Sequence, residues 1–109
     1  MEISEISKFA KIQNAHFREK WPELKDETRL ALAQAVKLSE EAGELAEQVL
    51  KAQGFQRKEK TGGSVAEEIA DVIFATALIA DSCGVDLEDA LGKKLEKLYG
   101  RIEMDRKST

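Results

Sequence analysis

Histidine, cysteine and proline each occur once in this chain, at His16, Cys83 and Pro22. A lone cysteine excludes an intrachain disulfide and a thiolate zinc cage, and it fits a reducing cytoplasm. A lone histidine excludes the two Glu-x-x-His pairs that a carboxylate-bridged di-iron bundle needs. The β-branched alternation that marks strands is also missing. The opening MEISEISKFAKI has no basic start followed by an apolar run, and the longest apolar stretch, Ile69 to Ala80, is interrupted by Asp71 and Thr76. Neither a signal peptide nor a membrane span is therefore expected. Bases are outnumbered, 17 against 21 acids for a net charge of −4, which argues against a nucleic acid polymer or an anionic membrane as partner. Small anionic ligands remain accessible through a local basic cluster or a metal.

What is present is helical periodicity. With 109 residues the chain is expected to be one domain, burying roughly 60 to 70% of the surface its unfolded form exposes, a modest core that association would help. The spacing predicts an all-α, four-helix chain. The first helix runs from about Ile3 to Glu19, with Ile3, Ile6, Phe9, Ala10 and Phe17 on one side, and Pro22 breaks it. The second begins near Asp26 or Thr28 and ends at Gln53, where Gly54 suits a left-handed cap. GFQRKEKTGG, Gly54 to Gly63, reads as a charged, mobile loop. Ser64 and Glu67 have capping-box spacing at the start of a third helix that reaches Ser82 or Cys83 before Gly84. Asp86 caps a fourth, carrying Leu91, Leu95, Leu98 and Ile102 into a polar tail that frays.

Acid interrupts the apolar stripes of the two middle helices. Leu38, Ala42, Leu45, Val49 and Ala52 form the stripe that must face a partner on the second helix, and Glu41 lies within it, followed at i+3 by Glu44. On the third helix Glu68 stands three residues after Val65 and four before Val72, and Asp71 follows at i+3. Around Asp71 the run IADVIFATALIA is apolar nearly all the way round, which predicts a helix buried on several sides and little water for that carboxylate. If the helices pack antiparallel, the two acid pairs face each other. Four unpaired carboxylates there would cost several kcal/mol, out of a total stability of about 5 to 15 kcal/mol. A cation resolves the conflict, and all-oxygen ligands suit Mg²⁺ or Mn²⁺ rather than zinc. The ordinary reading of such acids, a solvated face paired with Lys37, Lys51 and neighbouring bases, suits Glu40, Glu47 and Glu67 better than the two matched pairs.

At these residues the sequence resembles the MazG-like, all-α nucleoside triphosphate pyrophosphohydrolases, whose signature is EExxE on one helix and ExxD on a later one. Here the motifs read Glu40-Glu41-Ala42-Gly43-Glu44 and Glu68-Ile69-Ala70-Asp71, and the likeness extends from about Trp21 through GVDLEDALGKKLEK to Arg101. The resemblance implies hydrolysis of a (d)NTP between its α- and β-phosphates, giving monophosphate and pyrophosphate, with Mg²⁺ held by Glu41, Glu44, Glu68 and Asp71. Glu40 or Glu41 would orient or deprotonate the attacking water. It also implies a homodimer or homotetramer with the substrate near the subunit interface, and a house-cleaning role in removing surplus or aberrant nucleotides.

The family's late helix carries a phosphate-binding pattern, K-x-x-x-N-x-x-R-Y. In this chain Lys94 and Arg101 match it, while Leu98 replaces the asparagine and Ile102 the tyrosine, so two polar contacts are missing. Phe17 and Trp21 are candidates to stack on the base, against the alternative that aromatics at i,i+4 before a proline seal a core or an interface. His16 reads as a surface or hydrogen-bonded histidine. Lys51, Arg57, Lys58 and Lys60 can close over a triphosphate or simply be solvated. Three rivals share parts of the pattern. Phosphoribosyl-ATP pyrophosphohydrolase has the same acid helices, a dimeric dUTPase-type enzyme would be a longer chain, and a helical oligomerisation or binding module would have no reason to bury four acids.

Overall fold

In the computed structural model, residues 1–55 and 63–108 are described; Arg57, Lys58, Lys60 and the middle of the charged loop lie outside them. Four helices and no strand occur among the described residues: α1 (Ile3–Lys20), α2 (Glu27–Ala52), α3 (Val65–Ser82) and α4 (Leu87–Ser108). Pro22 ends α1 as expected, and a single 3-10 turn over Pro22–Lys25 redirects the chain. Asp26 then starts α2, its Oδ1 accepting from the backbone N–H groups of Thr28 at 2.9 Å and Arg29 at 3.1 Å, which satisfies two of the helix's free donors. Ser64 Oγ does the same for Glu67 N–H at 3.1 Å, and Asp86 Oδ1 for Asp89 N–H at 3.0 Å. At the other ends, Gly54 (φ +82°) and Gly84 (φ +68°) take the left-handed conformation. Phe55 and Val85 can thereby donate back to Leu50 and Ala80, closing α2 and α3 in the Schellman manner.

The body is α2 packed along α3, with α1 lying across α3. The buried face of α2 is Leu30, Gln34 and Glu41, flanked by half-buried Leu38, Leu45 and Gln48, whereas Ala42, Val49 and Ala52 are exposed. The contact face is therefore turned towards polar residues, away from part of the expected stripe. On α1 the buried pair is Ala10 and Asn14, with Phe9 left largely open. Phe9 meets Phe74 edge-on, with ring centroids 5.4 Å apart.

α4 departs from this body. It touches only α1 and α3, and Leu87 is its one half-buried residue among those described. Leu91, Leu95, Leu98 and Ile102 stay exposed on a shared side. The radius of gyration is 17.3 Å, against roughly 13 Å for a compact chain of this size. The expectation of a third helix buried on several sides fails in the single chain. Ile69, Ile73 and Asp71 are exposed, because α2 and α1 cover one side of α3 and α4 does not fold back over the other.

Candidate functional site

Antiparallel packing of α2 on α3 brings Glu41 and Glu44 to Glu68, and ligand oxygens of the three lie within 4.8 Å of one another. Glu41 and Glu68 are buried, at 8% and 7% exposure, and one oxygen of each, Oε2, has no hydrogen-bond partner. Burial first, then the charges of Glu44, Asp71 and Glu41 and a hydrogen bond with Glu44, push the Glu68 carboxyl above its ordinary value. The folded chain therefore keeps that proton to a higher pH than the unfolded chain does. Glu41 is relieved on one side by Lys37, whose Nζ lies 3.3 Å from Oε1 and 3.6 Å from Oε2 of Glu40. The hydrogen bond to Glu41 and that carboxylate's charge hold Lys37 above the usual lysine value.

A cleft of about 410 Å³ opens beside these acids. Lys37, Glu41 and Asp71 line one end of it, and Phe17, Trp21, Leu30 and Phe74 contribute apolar wall. The Phe17 and Trp21 rings are 5.9 Å apart and tilted by 43°, and Lys20 Nζ sits 4.6 Å over the indole. Of the residues singled out in the sequence, Glu41, Glu44 and Glu68 come together. Asp71 sits at the cleft rim rather than in that cluster of three, exposed instead of dry as expected. Glu40 is exposed beside Lys37. Lys94 and Arg101 are exposed on α4 and do not line the cleft.

Unpartnered buried oxygens from two helices, one of them on cleft-lining Glu41, are a donor set for a hard divalent cation. A model of the MazG nucleotide pyrophosphohydrolase domain matches residues 29–104, which takes in both acid helices and most of α4. The chain belongs to the MazG family. The match spans the acid cluster, whose carboxylates packing alone leaves unexplained. An uncharacterized Bacillus subtilis (strain 168) protein, YpjD, is 38% identical over 72 residues. That alignment covers 64% of this chain and 65% of YpjD. No solved structure matches the chain significantly. No helix among the described residues is long and apolar enough to cross a membrane.

Sequence reasoning passed over a second constellation, which joins α1 to the helices of the MazG match. Asn14, completely buried, donates through Nδ2 to Leu78 O at 3.1 Å and Asp81 Oδ2 at 2.8 Å, and accepts from Gln34 Nε2 at 2.6 Å. Ser82 Oγ donates to Gln34 Oε1 at 2.7 Å, and Lys11 Nζ to Asp81 Oδ1 at 3.1 Å. The clue was spacing: Asn14 is four residues after Ala10, and Gln34 lies midway between Leu30 and Leu38 on the stripe that leads to Glu41.

Proposed function

We propose that this chain is a divalent-metal-dependent nucleotide pyrophosphohydrolase that splits a (d)NTP between its α- and β-phosphates, one water adding as one P–O bond breaks, to give monophosphate and pyrophosphate. The observation that carries the reading is the cluster of buried Glu41 and Glu68 with exposed Glu44, in which two buried oxygens are orphaned and Glu41 lines the apolar cleft. These three would hold Mg²⁺ or Mn²⁺, with Asp71 at the rim as a further oxygen donor. When bound, such a cation neutralises phosphate oxygens and lowers the pKa of water.

The protein's own groups do the rest. Glu41 lines the cleft and is buried, whereas Glu40 is exposed and outside the cleft, so Glu41 is the better placed of the two to take the water's proton. The cleft wall of Phe17 and Trp21 suits a base, and the acid end suits phosphates, which sets the nucleotide's direction. Lys94 and Arg101 lie outside the single-chain cleft. The exposed apolar side of α4 and the open Ile69 and Ile73 are the surfaces a second copy would cover, giving a homodimer or homotetramer. Leu95→Glu is expected to lower the assembled mass measured by light scattering; an unchanged mass would remove α4 from the interface.

Gly63 guards the cluster sterically. Its φ is +81° and a Cβ there would lie 2.8 Å from Glu68 Oε1, so Gly63→Ala is expected to displace that carboxylate. The Mg²⁺ concentration for half-maximal turnover should rise about ten-fold, as when a supporting contact to a metal ligand is lost. An unchanged Mg²⁺ dependence would separate Gly63 from the site.

Product analysis tests the function itself. With Mg²⁺ and a panel of NTPs, dNTPs and phosphoribosyl-ATP, the expected products from a nucleoside triphosphate are monophosphate and pyrophosphate. Turnover confined to phosphoribosyl-ATP would reassign the substrate, and diphosphate plus phosphate would overturn the cleavage site. No turnover with Mg²⁺ or Mn²⁺ in a folded sample would favour a binding module.

A further inference from the structure

We propose that Gln34 is the specificity-determining residue of the cleft, reading the hydrogen-bonding edge of the nucleobase with an amide whose orientation is fixed by Asn14 and Ser82. The inference rests on the reading that a nucleotide occupies this cleft. Its starting point is the buried polar chain behind the wall. Leu78 O and Asp81 Oδ2 can only accept, so Asn14 must turn Nδ2 to them and present Oδ1 to Gln34. Gln34 must then answer with Nε2, which leaves its Oε1 to accept from Ser82. Each amide orientation is dictated by the one before it.

A glutamine amide has two N–H donors and two carbonyl lone pairs. The network engages one of each, and no other hydrogen bond is made by this side chain among the described residues. Gln34 is 95% buried, since only 5% of its surface is exposed, and it lines the cleft. The wall around it is Leu30, Phe74, Ala75 and Leu78, which gives a base edge nothing to bond. Gln34 and Glu41 are seven residues apart on one helix, about 10 Å along its axis. That is comparable to the reach of a nucleotide from its first phosphate to the far edge of its base. With phosphates at the acid end, the base edge arrives at the free donor and acceptor of Gln34. An amide held in one orientation distinguishes bases by their pattern of donors and acceptors, whereas a freely flipping one would accept several.

Trp21 is the chain's single tryptophan and lines the same cleft, so its fluorescence reports base entry without any need for hydrolysis. The test is a titration of wild type and Gln34→Met with the nucleoside 5′-monophosphates in Mg²⁺ buffer. In wild type the Kd values are expected to spread by about ten-fold or more across bases, as good base-edge pairs allow. In Gln34→Met the spread should collapse to within about three-fold. The same ranking and spread in Gln34→Met would overturn the proposal. Should that variant not fold, wild type titrated with purine riboside 5′-monophosphate, whose ring carries no exocyclic donor or acceptor, gives the answer; binding clearly weaker than the tighter of AMP and GMP supports the proposal, and equal binding overturns it. Failures of the two readings stay distinguishable. Base-discriminating quenching without turnover would overturn hydrolysis and leave Gln34's role standing, while turnover with no discrimination in wild type would overturn Gln34's role alone.

Discussion

Glu68→Gln is expected to lower turnover by on the order of 10²- to 10³-fold, the usual scale for losing one preorganised electrostatic group, while making the metal-free protein more resistant to heat. Both effects arise from the same carboxylate. Glu68 is buried against Glu44 and Glu41, has an unpaired oxygen, and is pushed above its ordinary value by burial and by those charges. A raised carboxyl makes the folded state lose stability as pH rises from the unfolded value, near 4.3, through the raised folded one. In EDTA, the melting temperatures of wild type and Glu68→Gln should therefore lie close together below about pH 4 and separate above it, with the variant higher. Mg²⁺ should raise the wild-type Tm in proportion to occupancy of the site and act far less on the variant. If wild type and variant melt together at neutral pH in EDTA, the repulsion assigned to this cluster is not there.

Asn14→Leu should be the most destabilising single substitution named for this chain. It leaves Gln34 Nε2, Leu78 O and Asp81 Oδ2 without the partner they now share, and buried polar groups left unpaired cost about 1 to 3 kcal/mol each. A loss of about 3 kcal/mol corresponds to a Tm lower by roughly 12 to 24 °C in a domain this small. Acid sensitivity gives a second readout. Burial alone would raise Asp81, but Asn14's hydrogen bond, then the hydrogen bond and charge of Lys11 and the charge of Arg18, bring it below the usual aspartate value. That contribution is fully present above the unfolded value, near 3.9, and disappears as pH falls through the lower folded one. The acid slope should be shallower in Asn14→Leu. A variant with wild-type Tm would mean that the network adds nothing to the fold.

The helix ends were legible because each is written in one or two residues: Pro22, Asp26, Gly54, Ser64, Gly84 and Asp86 act through local backbone chemistry. The cluster of Glu41, Glu44 and Glu68 was legible for a related reason, since helical spacing fixes which side chains leave on one face. What spacing does not fix is the angle at which that face meets its neighbour. The α2 contact face turned towards Gln34 and Glu41 and left Ala42 and Val49 open, and Asp71 stayed wet because none of the described residues covers that side of α3. Asn14 and Gln34 were missed as a pair because their value lies in meeting each other across two helices, 20 residues apart in sequence. The place of Lys94 and Arg101 depends on whatever covers α4.

If α2 and α3 turn acid inward to hold a divalent cation, the folded protein must bind one without any nucleotide present. Electron paramagnetic resonance of Mn²⁺ titrated with protein measures it directly, because the sharp signal of the free ion is lost on binding. The expected result is loss of free Mn²⁺ with wild type, reversed by excess Mg²⁺ and much reduced with Glu68→Gln. A free-ion signal that folded wild-type protein leaves untouched, or that both proteins diminish equally, would contradict it.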